Sequence, residues 1–165
     1  MSAFRRQTSR QLHEEHVHVL GLLDRLGLAA ARLGGAPPAP DDALWGPLLP
    51  QVAGALQHEV TRHFDLEEQK LFPLLREQGH GDLADLLYEE HQVIREVARP
   101  LLELVARARA GALDAAGWKS LRPLILELVD RLGAHARMEE DALVPVVEEI
   151  LDDNTDLEIW TAHMN

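Results

Sequence analysis

The sequence predicts an all-α fold, an up-down-up-down four-helix bundle with a short C-terminal tail. Three observations carry this. Four long segments repeat their apolar residues with the 3.6-residue period of amphipathic helices, and short Gly- and Pro-containing breakers separate them. Leu, Ala, Glu and Arg dominate the composition, while aromatic residues make up only 4%. Short connections between long helices favour antiparallel neighbours. A length of 165 residues suits one domain over 1–165, with the bundle core at about 9–151 between a short N-terminal arm and the tail.

The first helix is expected over residues 9–33, with Leu12, His16, Leu20, Leu23, Leu26 and Ala30 as its buried stripe. Gly34 and Gly35 stop it, and a Pro-rich loop follows. The second is expected over 43–78, with Leu49, Val52, Leu56, Val60, His63, Glu67, Leu71 and Leu74 facing inward. Pro47 and Pro50 sit in its first turns, where a missing N–H matters little, and Pro73 should kink or close it. Asp82 is the expected N-cap of the third, over 82–110, whose stripe is Ala84, Leu87, His91, Ile94, Ala98, Leu101 and Val105. Pro100 implies a kink within it. Asp114 is the expected cap of the fourth, to residue 151, with Leu121, Leu124, Leu128, Leu132, His135, Glu139, Leu143, Val146 and Ile150 inward. In the tail, Ile159, Trp160 and Met164 suit a short docked helix.

Bulk properties exclude several functions. The net charge of −12 repels phosphate, so neither nucleic acid nor an anionic membrane is an expected partner. With no cysteine there is no disulfide, thiolate metal site or Cys nucleophile, which suits a cytoplasmic location. Residues 1–11 are polar and carry Arg5, Arg6 and Arg10, unlike a secretory signal. No apolar run approaches the ~20 residues that span a bilayer. No nucleophile motif is present.

The informative residues are polar ones on the apolar stripes. His16, His63, Glu67, His91, His135 and Glu139 should all face the core, and each helix supplies at least one. A buried carboxylate is costly unless it is paired or bound to a metal. His63 and Glu67, like His135 and Glu139, are i, i+4 pairs, about 6 Å apart along one helix face. One helix can thus offer an imidazole and a carboxylate to the same cluster. A carboxylate has two oxygens and can bridge two cations, whereas a neutral imidazole is a terminal ligand. Two carboxylates balance two cations better than one.

The pattern also repeats. His, Glu, Glu, Leu and Pro recur at identical offsets from His63 and from His135, 72 residues apart (135 − 63). Glu14-Glu15-His16 and Glu89-Glu90-His91 repeat 75 apart (91 − 16). One core histidine is ordinarily a hydrogen-bonded histidine, and one H-x-x-x-E is common. Two in register, with two aligned E-E-H segments, describe a pair of helical hairpins that each supply a lone His and a His–Glu pair.

These elements, E-E-H16, H63-F-D-L-E-E-Q-K-L-F-P73, E-E-H91 and H135-A-R-M-E-E-D-A-L-V-P145, resemble the hemerythrin-like, or HHE cation-binding, family across all four helices. The resemblance implies a non-haem di-iron centre with an oxo or hydroxo bridge, bridging Glu67 and Glu139, and an open iron position. It implies O2, NO or peroxide as the small-molecule partner, with zinc or manganese as possible substitutes for iron. The classical oxygen carriers of that family use a fifth histidine, paired at i, i+4 on the third helix. Here Arg95 follows His91 by four and Leu87 precedes it by four, which argues against reversible oxygen carriage. Two other readings are a non-catalytic iron sensor or buffer and a metal-free helical interaction module.

Around these six, His13 and Tyr88 lie one turn before His16 and His91 and are candidates to approach the site. Glu15, Glu68, Glu90 and Glu140 are candidate acceptors for imidazole N–H groups or a solvated acidic face. His18, His58 and His80 are expected in solvent, and His163 has no expected place.

Overall fold

The computed structural model describes residues 3–165; Met1 and Ser2 of the expected N-terminal arm lie outside the described residues. It is all-helical, with five helices and no strand among the described residues. Helix α1 is Gln7–Ala31. Helix α2 is one run made of Trp45–His58, Glu59–His63, Phe64–Leu66, Glu67–Leu71 and Phe72–Glu77. Helix α3 is Gly81–Arg109. Helix α4 joins Ala115–Met138, Glu139–Leu143 and Val144–Ile150, and α5 is Asp153–Met164. α1 packs on α2, α2 on α3, α3 on α4, and α4 returns to α1, while α5 lies against α1.

The interior has two apolar clusters. One is built around Leu26, Leu101, Leu121, Ile125 and Leu128, the other around Leu12, Phe72, Leu75, Leu87 and Val147. Each of the four long helices passes from one cluster to the other where it carries its polar core residues. His16 lies between Leu12 and Val19, and His91 between Leu87 and Ile94. The apolar clusters therefore cap the polar layer at both ends and withdraw it from water.

The helix ends follow local chemistry. Gly79 (φ 86°) and Gly111 (φ 69°) stop α2 and α3 in the left-handed conformation that favours glycine. Beyond each, an amide reaches back five residues, His80 N–H to the Leu75 carbonyl (2.7 Å) and Ala112 N–H to that of Arg107 (2.9 Å). Asp114 caps α4 as expected, accepting the Gly117 N–H at 2.7 Å. Asp82 does not cap α3: the helix begins at Gly81, so Asp82 lies inside its first turn, where its charge still favours the helix dipole. Pro73 does not close α2, and α3 runs unbroken through Pro100.

Each proline of the repeat is carried by a wide turn, one in α2 and one in α4. Glu67–Leu71 and Glu139–Leu143 are π-helical, and each ends two residues before a proline of the repeat. The Phe72 N–H reaches the Glu67 carbonyl and the Val144 N–H that of Glu139, five residues back. Proline lacks an N–H and its ring crowds the carbonyl four residues earlier. A wide turn eases that conflict, and such turns recur at functional sites.

The tail docks as a helix. Asp156 of α5 accepts the Gln7 and Thr8 N–H groups, both at 2.8 Å, and so caps the N-terminus of α1 from outside. Glu148 accepts the Arg5 and Arg6 amides at 2.7 and 3.0 Å. Ile159 is buried, whereas Met164 is exposed. This staple brings His163 back against α1.

Candidate metal centre

The structure brings together the six polar residues of the stripes. His16, His63, Glu67, His91 and Glu139 have no solvent exposure, and His135 has 2%. They form two overlapping groups whose ligand atoms lie within 4.8 Å of one another: His16, His63, Glu67 and Glu139, and Glu67, His91, His135 and Glu139. The two glutamates belong to both.

Their oxygens divide between the groups. Glu67 places Oε1 2.9 Å from His63 Nε2 and Oε2 3.1 Å from His91 Nε2. Glu139 turns Oε2 to His16 Nε2 at 2.8 Å and to His63 Nε2 at 3.6 Å. Its Oε1 faces His135 Nε2 at 2.6 Å and His91 Nε2 at 3.5 Å. Each carboxylate thus points one oxygen at each histidine pair.

Several of these atoms approach closely without hydrogen-bond geometry. Both Glu67 oxygens, Glu139 Oε1, His91 Nε2 and His135 Nε2 are buried and have no hydrogen-bond partner. Buried polar atoms are rarely left so. Lone pairs that converge on common points, instead of on each other's protons, are what metal coordination requires. The donor set of nitrogen and oxygen suits divalent transition metals and fits the two groups.

The outer nitrogens are held with equal regularity. His16 Nδ1 meets Glu140 at 2.6 Å, His63 Nδ1 meets Glu15 at 2.6 Å, His91 Nδ1 meets Glu68 at 2.8 Å, and His135 Nδ1 meets Glu90 at 2.7 Å. The glutamate before each lone His serves the following helix's His, and the glutamate after each inner Glu serves a lone His. These four carboxylates are acceptors for the rings, not a freely solvated face. An ionised carboxylate only accepts, so each Nδ1 carries its proton and each Nε2 turns inward. Replacing Glu90 by Ala, at a partly exposed position, should lower metal affinity by about 10–100-fold through His135. Competition with a chromophoric chelator reads this, and unchanged affinity would make the bond incidental.

Charge follows the same pattern. Burial disfavours protonated rings here, but the carboxylates outweigh it. Glu139 and Glu140 push His16 up to about 9, and Glu139 and Glu90 push His135 up to about 10. His63 and His91 are raised as well, against the same burial. Glu139 is held well below the carboxylate range although burial opposes it, chiefly by His135. Without a metal, the surrounding carboxylates therefore favour the protonated form of these rings.

One inner residue escapes the periodic reading. Glu59 is buried, with Oε1 unpartnered and 3.8 Å from His63 Nε2. Burial raises its pKa. The π turn Glu59–His63 shifts the register, so Glu59 takes the inward place expected of Val60, which is only half-buried. The even spacing of Glu59, His63 and Glu67 was the available signal. Its repeat counterpart, Arg131, is exposed, so the inner layer is not fully symmetric.

Other expected neighbours stand elsewhere. His13 bonds Glu140 Oε2 at 2.7 Å and is one layer out, not a fifth inward nitrogen. Tyr88 is 45% exposed and does not enter the site. His18 is exposed and His80 half-buried. His58 is not simply solvated, since it meets Glu15 at 3.2 Å, as does His163 at 2.8 Å.

A family model described as the hemerythrin HHE cation binding domain matches residues 7–147. The chain belongs to the hemerythrin HHE cation-binding family. No curated protein matches it. Within this HHE domain, the position four after His91 is filled by Arg95, which clamps Glu68 at 2.7 and 3.2 Å. Its guanidinium lies 5.3 Å from the centre of the Phe64 ring, and that ring stacks on His91 at 3.7 Å. Leu87, four before, is fully buried in the apolar cluster. Arginine thus secures His91 from outside in place of a second ring on that helix.

Proposed function

We propose that the chain is an up-down-up-down four-helix bundle holding a non-haem di-iron centre that binds or reacts with O2, NO or peroxide. The observation that carries this reading is the division of the Glu67 and Glu139 oxygens between two histidine pairs. His16 and His63 would hold one metal, His91 and His135 the other, and Glu67 and Glu139 would bridge. Iron there supplies redox chemistry and a position for a small ligand, which the side chains lack; zinc or manganese can fill the same donors. The four outer glutamates orient the rings. A cytoplasmic setting suits the cysteine-free chain, and no helix among the described residues is long and apolar enough to cross a membrane.

Two clefts support access by small molecules. One, of 520 Å³, lies between α1 and α2 and reaches Glu59; the other, of 450 Å³, lies between α3 and α4 and reaches His135. A second reading, an iron sensor or buffer, is favoured by Glu59, whose carboxyl crowds the His16–His63 side and would close it to a ligand. Iron-replete expression followed by metal quantitation and absorption spectroscopy tests both. The first reading expects near two irons per chain and an oxo-bridged ferric spectrum that changes with NO or peroxide. Two irons with no response to either would support the buffer, and iron well below one per chain would sink both.

A further inference from the structure

We propose that Glu15, His58 and His163 form a separate, solvent-facing site for one divalent transition-metal cation. The three come from α1, α2 and α5, and their ligand atoms lie within 4.8 Å of one another. A single oxygen, Glu15 Oε1, faces His58 Nε2 at 3.2 Å and His163 Nε2 at 2.8 Å. Tetrahedral zinc with bonds of about 2.0–2.1 Å spaces its ligand atoms by about 3.3 Å. Glu15 Oε1 is therefore near coordination spacing from both rings.

The fold invests in this arrangement. Docking of α5 through Asp156 returns His163 to α1, and Arg62 Nη2 donates to the His163 carbonyl at 2.6 Å. His163 is 9% exposed, while the His58 side chain is 40% exposed and borders the cleft between α1 and α2. Three protein ligands beside an open cleft leave a fourth position for water, as in open zinc sites. Two imidazoles and one carboxylate exclude calcium and magnesium, which want oxygen, and favour zinc, cobalt(II) or iron(II).

Glu15 also ties this site to the inner one. Its Oε2 meets His63 Nδ1 at 2.6 Å while Oε1 faces the outer histidines. A cation on Oε1 draws electron density from that carboxylate and weakens its grip on the His63 ring. The donor atoms of the outer site, Glu15 Oε1 and the two Nε2 atoms, are distinct from those of the inner one.

Titration of the metal-free full chain with cobalt(II), read by calorimetry and by the visible bands of tetrahedral cobalt, tests the proposal. His58→Ala and His163→Ala should each bind one equivalent fewer than the unaltered chain. His18→Ala, an exposed histidine in the same cleft, should bind as the unaltered chain does. The difference of one equivalent is read whatever the inner centre binds, so failure of the di-iron reading leaves this test intact. His58 is half-exposed, so its variant tests the site without disturbing the packing of α5. Equal stoichiometry in His58→Ala and the unaltered chain would overturn the proposal, as would an equal loss in His18→Ala.

Discussion

If the proposed two-metal centre forms, replacing Glu139 by Ala should empty it, reducing bound metal from near two equivalents to well below one. Glu139 is the only carboxylate of the inner layer that lies within 4 Å of all four inward Nε2 atoms among the described residues, on Oε2 for His16 and His63 and on Oε1 for His91 and His135. Its loss removes one oxygen facing each histidine pair at once. Within 4 Å Glu67 meets His63 and His91, so Glu67→Ala should retain more metal than Glu139→Ala. Glu139→Gln keeps the volume but drops the charge and replaces one oxygen with an amide nitrogen, which cannot ligate in the same way. It should therefore resemble Ala in metal content while folding better.

The metal-free variant carries a second effect. Removing one partner from a buried ion pair typically costs about 3–5 kcal/mol, because the other charge is left without compensation. Here the rings can give up protons instead, which limits the loss. Thermal unfolding of the metal-free proteins should place Glu139→Ala below the unaltered chain, and Glu139→Gln between them. Retention of both metals by Glu139→Ala would remove the bridging role.

Much of this arrangement is legible in the sequence because helical periodicity is a strong signal for long amphipathic segments. His16, His63, Glu67, His91, His135 and Glu139 interrupt apolar stripes, and nothing but the core faces a stripe. The repeat then identified Glu15, Glu68, Glu90 and Glu140 as a matched set, although only the fold could show which ring each one holds. Glu59 and Pro73 departed from the periodic reading for a common cause, the wide turns of α2. Glu59 was hidden by a π turn, which breaks the 3.6-residue count that placed Val60 inward. Pro73 read as a kink or a stop because a straight α-helix cannot absorb it, whereas a wide turn can. His58 and His163 were beyond reach for a different reason. Their partner Glu15 lies 43 and 148 residues away, and no local rule predicts how a short tail helix docks.

Metal binding at pH 7 should release protons, on the order of two to four per chain, because ligand imidazoles must be neutral. With an ordinary pKa of 6.5, most of these rings would already be neutral at that pH. In the folded, metal-free chain His16 is pushed up to about 9 and His135 to about 10, with His63 and His91 also raised. The same shifts set the stability of the metal-free protein. A ring whose folded pKa lies above its unfolded value adds stability that is fully present below about 6.5 and is lost as pH rises through the folded value. The metal-free chain should therefore weaken steadily from pH 7 to pH 10. On the acid side, Glu139, Glu68 and Glu140 are depressed, so their contribution disappears as pH falls below the ordinary carboxylate range. The metal-loaded chain has already lost the ring protons, so its stability should stay nearly level between pH 7 and pH 10. Calorimetric titration with cobalt(II) in two buffers of different ionisation enthalpy counts the protons, and urea midpoints across the pH range give the slopes. Release of less than one proton, or parallel slopes for the two forms, would mean that the carboxylates around these rings do not hold them charged.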